Sequence, residues 1–217
     1  MRLSVFGIMS RLTAAFLLCA GLATVAESSS PVAGRNSAED AMAAGIRHFE
    51  EGRFREATAS FEELVRLEPD SADALLTLGV AYFRLNQYLD AANTFESVIR
   101  ARPRSAQAHT RLGFTYSQMN LQRDAVESFK KAISYHPDLA QAHWGLGLAY
   151  RQLGFHEEAI TSFTEVVRLR PDFADARYDR AEACLIIGRK CSAIEEYAVL
   201  KELDEELAAR LFEIIWK

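Results

Sequence analysis

Proline is scarce in this chain, only five in 217 residues, and cysteine scarcer, with three. So few cysteines cannot make the multi-bridge framework of a small secreted domain, so a hydrophobic core has to hold the fold. The chain also lacks a basic surplus. It carries 25 Lys and Arg against 30 Asp and Glu, a formal charge of −5, with no basic run to track a phosphate backbone, which makes a poor nucleic-acid binder, and no nucleic-acid partner is expected. No apolar run reaches the roughly 20 residues that a membrane-crossing helix needs. Catalytic signatures are missing too: no nucleophile elbow, phosphate-binding glycine loop or paired-histidine helix motif occurs. The five histidines do not form a metal-ligand set, because His109 and His143 stand one repeat apart while His48, His136 and His156 are scattered. No metal site and no cofactor are therefore expected.

What is present begins with a leader. Arg2 and Arg11 precede the apolar run from Leu12 to Ala23, and Thr24-Val25-Ala26 follows before Glu27. A positive start, a short apolar middle and a small-residue end make a secretory signal peptide over residues 1–26, cut after Ala26. Leu17 and Leu18 stand before Cys19, where a lipoprotein signal takes small residues, so Cys19 is not read as a lipid anchor. A periplasmic or secreted protein is expected, and an uncleaved leader would make it membrane-anchored instead. Residues 27–37, ESSSPVAGRNS, are small and polar and read as a flexible linker.

The scarce prolines are not scattered. Pro69, Pro103, Pro137 and Pro171 recur every 34 residues, and so do particular small and aromatic residues between them. Five units, 38–71, 72–105, 106–139, 140–173 and 174–207, place Gly45, Gly79, Gly113, Gly147 and Ala181 at the eighth position and Ala57, Ala91, Ala125, Ala159 and Ala193 at the twentieth. Small residues at both places let two antiparallel helices approach closely. Phe61, Phe95, Phe129, Phe163 and Tyr197, one turn after each alanine, supply an apolar wedge. Each proline stops a second helix, and Asp70, Ser71, Ser105 and Asp138 lie where the next helix needs an oxygen cap. The expectation is an all-α array over residues 38–204, with a capping helix over 205–217 on which Leu207, Leu211, Ile214 and Ile215 share a face and Asp204 caps the start.

This pattern resembles the tetratricopeptide repeat (TPR) family, although the family's tryptophan-like fourth position holds Ala41, Leu75, His109, His143 and Arg177, and the fifth unit departs further, with Arg180, Cys184 and Glu205 in the leucine, tyrosine and proline places. The resemblance implies a right-handed superhelical solenoid whose first helices line a concave groove for a partner's peptide or helix. The positions it assigns to that groove are Met42, Ile46 and Phe49; Thr77, Val80, Phe83 and Arg84; Gln107, Thr110, Arg111 and Phe114; Gln141, Trp144, Leu148 and Arg151; and Asp175, Tyr178, Asp179 and Glu182. Arg111 and Arg151 are the better binding candidates, since a cation facing a half-apolar trough has little packing reason to be there, whereas Trp144 fits a packing role. Of the family's carboxylate-clamp places only Arg111 is matched, so that mode is not expected.

Cys184 and Cys191, on the two helices of the last unit, could bridge in an oxidising compartment, but two positions from Ala193 is about 200° of turn, which points Cys191 away. The function expected is a non-catalytic interaction scaffold exported to a bacterial envelope. The alternative is a structural protein that self-associates through its groove or through Phe212, Ile215 and Trp216; an enzyme is not expected.

Overall fold

A computed structural model describes residues 33–216, so the leader, its cleavage point and most of the linker lie outside the described residues. Among those described, every regular element is a helix. They are α1 (Ala33–Glu50), α2 (Phe54–Leu67), α3 (Ala72–Arg84), α4 (Tyr88–Ala101), α5 (Ala106–Gln118), α6 (Gln122–Tyr135), α7 (Ala140–Leu153), α8 (His156–Leu169), α9 (Ala174–Ile186), α10 (Lys190–Leu203) and α11 (Glu205–Trp216). Each helix packs on its chain neighbours and the first helices of successive units also touch, which is the arrangement of a stacked-hairpin solenoid. One expected boundary moves. The first helix starts at Ala33, so residues 33–37 are helical rather than linker; alanine and arginine there favour helix, and small polar composition does not forbid it.

The periodic residues act as their spacing implies. Phe95, Phe129 and Phe163 are completely buried, and a methyl group added at Gly79, Gly113 or Gly147 would sit 2.6, 2.7 or 2.5 Å from the ring of its own unit's phenylalanine. Phe129 is held from both sides, because Gly145 of the next unit also abuts its ring. Each second helix ends two residues before its proline. The intervening residues, Glu68, Arg102, His136 and Arg170, have left helical geometry at φ of −129 to −142°, the restriction a following proline imposes.

Capping divides the units. Ser71 and Ser105 accept hydrogen bonds from Ala74 N and Ala108 N, and Asp204 Oδ1 accepts from Leu207 N at 3.0 Å. The next two first helices start at Leu139 and Phe173, which offer no side-chain cap; Asp138, one place too early, faces Arg168 instead. The turn inside every unit has a device of its own. Position fifteen is Gly52, Asn86, Asn120, Gly154 or Gly188, all at φ between 61 and 82°, the left-handed conformation that closes a helix C-terminus and that glycine and asparagine tolerate best.

The fourth position, where the family's tryptophan-like residue is missing, has one recurrent use in the last three units. His109 Nε2 lies 3.1 Å from Pro103 O, His143 Nε2 2.7 Å from Pro137 O, and Arg177 Nε donates to Pro171 O at 2.9 Å. In three successive units, then, a side-chain N–H ties the first helix back to the carbonyl of the proline before it.

Candidate partner-binding groove

The inner surface is built by α3, α5, α7 and α9, each touching the next. Its two halves differ in chemistry. At the junction of the fourth and fifth units the groove side chains satisfy one another. Trp144 Nε1 donates to Asp179 Oδ2 at 2.9 Å, and Arg151 reaches Asp179 Oδ1 at 2.8 Å and Glu182 Oε2 at 2.7 Å. Tyr178 donates to Glu182 Oε1 at 3.0 Å while the Arg210 guanidinium, from α11, lies 4.7 Å from the Tyr178 ring centre. Asp179 is 4% exposed; burial raises its pKa to about 6 against the opposing pull of Arg151 and Trp144. Burial also drives the Tyr178 phenol up to about 12, helped by Glu182.

Several groove candidates thus have internal work. Trp144 is buried between Phe114 and Phe173, with ring centres at 6.2 and 5.5 Å, so it is scaffold. Arg151, expected as a cation open to a partner, is neutralised by two carboxylates of the next unit; single-position reading could not see this, because the acids stand 28 and 31 residues further along. Thr77 and Thr110 return their hydroxyls to Ala74 O and Ala106 O at 2.8 Å, and Val80 and Thr110 are buried. Leu148 packs on the Trp144 and Phe163 cluster. Phe114 meets Phe129 edge-on at 5.0 Å but keeps some exposure.

The first three units are different. Phe83 is half-buried, edge-on to Tyr88 at 5.5 Å, and Gln107 is exposed. The Arg84 guanidinium lies 4.5 Å from the Phe54 ring centre and 5.5 Å from that of Phe49, a cation on aromatic faces with no carboxylate paired to it among the described residues. Arg111 is half-buried, and among the described residues no carboxylate, carbonyl or ring receives its guanidinium. Burial alone pushes both arginines below their ordinary pKa. Sequence reasoning missed Phe54 and Arg210, which lie outside the family's groove positions and arrive only through packing.

Two further candidates carry no chemistry. A cleft of about 410 Å³ between α4, α5 and α6 is lined by charges of both signs, among them Glu96, Arg100, Glu127 and Lys131, and Tyr116 already donates to Glu96 at 2.9 Å. Cys184 is buried, and burial raises its thiol pKa, while the side chain of Cys191 lies outside the described residues, as does any bridge between them. Among the described residues there is no cluster of metal-ligating side chains, and no helix is long and apolar enough to cross a membrane.

Comparison with known proteins agrees with this architecture. The MamA chain from Desulfovibrio magneticus RS-1 shares 23% identity and superposes with a TM-score of 0.71, covering 79% of this chain and 97% of that one. A thermophilic TPR protein of Thermus thermophilus shares 23% identity at a TM-score of 0.66, covering 81% and 97%. MamA of strain MSR-1 shares 26% at 0.65, covering 81% and 99%. No curated protein matches by sequence. The tetratricopeptide repeat model matches residues 42–106, 118–172 and 149–208, and with the stacked hairpins of the fold this establishes that the chain belongs to the TPR family.

Proposed function

We propose that the protein is a non-catalytic scaffold of the bacterial envelope that holds a segment of a partner protein in its groove, against the first three units. The observation that carries this reading is the asymmetry of the groove. From Trp144 onward its polar side chains are bonded to one another, with Trp144, Tyr178 and Asp179 buried, whereas Phe83, Arg84, Gln107 and Arg111 keep exposure without being consumed in that way. An interaction surface needs groups whose contacts are still to be made. The leader read in residues 1–26 supports an envelope location.

Crosslinking in the native envelope, followed by recovery of the protein, tests the groove. Phe83→Glu should lose the crosslinked partner while a variant on the outer face, such as Leu89→Glu, keeps it; equal recovery with both would refute the reading. N-terminal sequencing of the exported protein should begin at Glu27, and an intact leader would make it an anchored scaffold.

A second reading rests on the far end of the solenoid, where Tyr197, Phe212 and Trp216 stack with ring centres 4.7 to 5.8 Å apart while Phe212 and Trp216 stay nearly half exposed. Self-association there would appear in sedimentation at low micromolar concentration and vanish with Phe212→Glu.

A further inference from the structure

The repeat's register makes each junction a control for the others. Asp179 occupies the sixth position of its unit, and the two groups that hold it, Trp144 and Arg151, come from the fifth and twelfth positions of the unit before. Two repeats earlier the sixth position is Arg111, and the corresponding places hold Leu76 and Phe83. By register, the polar lock of one junction is thus replaced, at the other, by a cation opposite two apolar positions, with no acid in either holding place. Taking a charge partly out of water without a counter-charge opposes folding. Arg84, at the end of the preceding first helix, adds a second cation, on the faces of Phe49 and Phe54, again with no carboxylate paired to it among the described residues. The chain as a whole is acidic, at −5, so this cationic stretch of groove stands out against its own surface.

We propose that the segment held in the groove carries an internal acidic side chain, flanked by apolar residues, and that Arg111 receives its carboxylate. This rests on the groove reading above. The guanidinium offers a planar fork of donors that a carboxylate oxygen pair matches, and the low-dielectric walls of Phe83 and Phe114 strengthen that pairing. The flanking apolar residues would lie on those same rings. Arg84 raises the local positive potential and favours the approach of such a segment over a neutral or basic one.

The test is selection of random 12-residue peptides, displayed on phage without a free C-terminus, on the mature protein. Winners are then synthesised with amidated C-termini and titrated by fluorescence anisotropy. Enrichment of a single Asp or Glu between aromatic or aliphatic residues is expected, with at least a tenfold loss of affinity to Arg111→Met and a similar loss when the peptide's acid is replaced by its amide. The melting temperature of Arg111→Met should stay level or rise, because the substitution removes an unpaired charge. A fall of more than about 5 °C would make Arg111 a structural residue and overturn the proposal. Winners that need Phe83 but ignore Arg111 would sink the acidic partner and leave the groove intact. Winners indifferent to both, or no winners at all, would sink both readings.

Discussion

Phe129 shows how a single side chain fixes the spacing of two units. Its ring is fully buried between Gly113 of its own unit and Gly145 of the next, so either glycine sets how near a helix can come. Gly113→Ala would place a methyl 2.7 Å from a ring that has no room to retreat. Overpacking of this kind costs about 1–3 kcal/mol, and a urea melt should show the midpoint falling by a corresponding amount with an unchanged slope. The repeat pattern makes Gly113 legible, since it recurs at the eighth position. Gly145, at the sixth, does not recur, and only the approach of the neighbouring unit explains it.

Elements are where the last unit's irregularities become coherent. Arg180 replaces the leucine that is buried at 6 to 8% exposure in the three preceding units, and Glu196 stands where those units have a serine or threonine. The two changes belong together. Glu196, 5% exposed, is held between Arg180 and Arg177, the latter at 3.0 Å, so the α9 and α10 hairpin closes on a charged triad instead of an aliphatic contact. Glu196→Gln would leave two arginines half-buried without their counter-ion, and a loss of about 3 kcal/mol is expected by chemical denaturation. A second element-scale prediction concerns the junction of α7 and α9. The folded pKa of Asp179, about 6, lies above its ordinary 3.8, so the protonated form is the one folding favours. Its contribution is fully present below about pH 4 and is lost as pH rises through 6. Relative to Asp179→Asn, the native chain should therefore gain roughly 1–3 kcal/mol in urea melts as pH falls from 7 to 4. His109 acts in the opposite direction, its pKa lowered by burial so that its contribution is lost as pH falls below about 6.5, but it is common to both proteins and cancels.

Over the whole molecule, stacking makes stability a sum of neighbour contacts, so damage at one end stays local. Leu211 is completely buried in the cluster that joins α11 to Tyr178, Ala193 and Leu200. Leu211→Ala should strip amide-exchange protection from α9 to α11 while α3 to α6 keep theirs; uniform loss along the chain would show instead a single cooperative unit. The cap does more than cover the core, because Arg210 from α11 reaches the Tyr178 ring and completes the closed half of the groove.

Residues recurring every 34 positions determined the hairpins, their wedges and their proline stops, because those contacts are made within a unit or between neighbours in a fixed register and so repeat in the text of the chain. The groove's candidate positions were legible for the same reason. Which of them are free was decided by the tertiary structure alone. Arg111 and Arg151 read alike as letters, yet among the described residues no carboxylate pairs with the first while the second meets Asp179 and Glu182 from the next unit. A side chain's charge belongs to the sequence, but its neutralisation depends on which non-repeating residue a neighbouring helix brings to within about 3 Å.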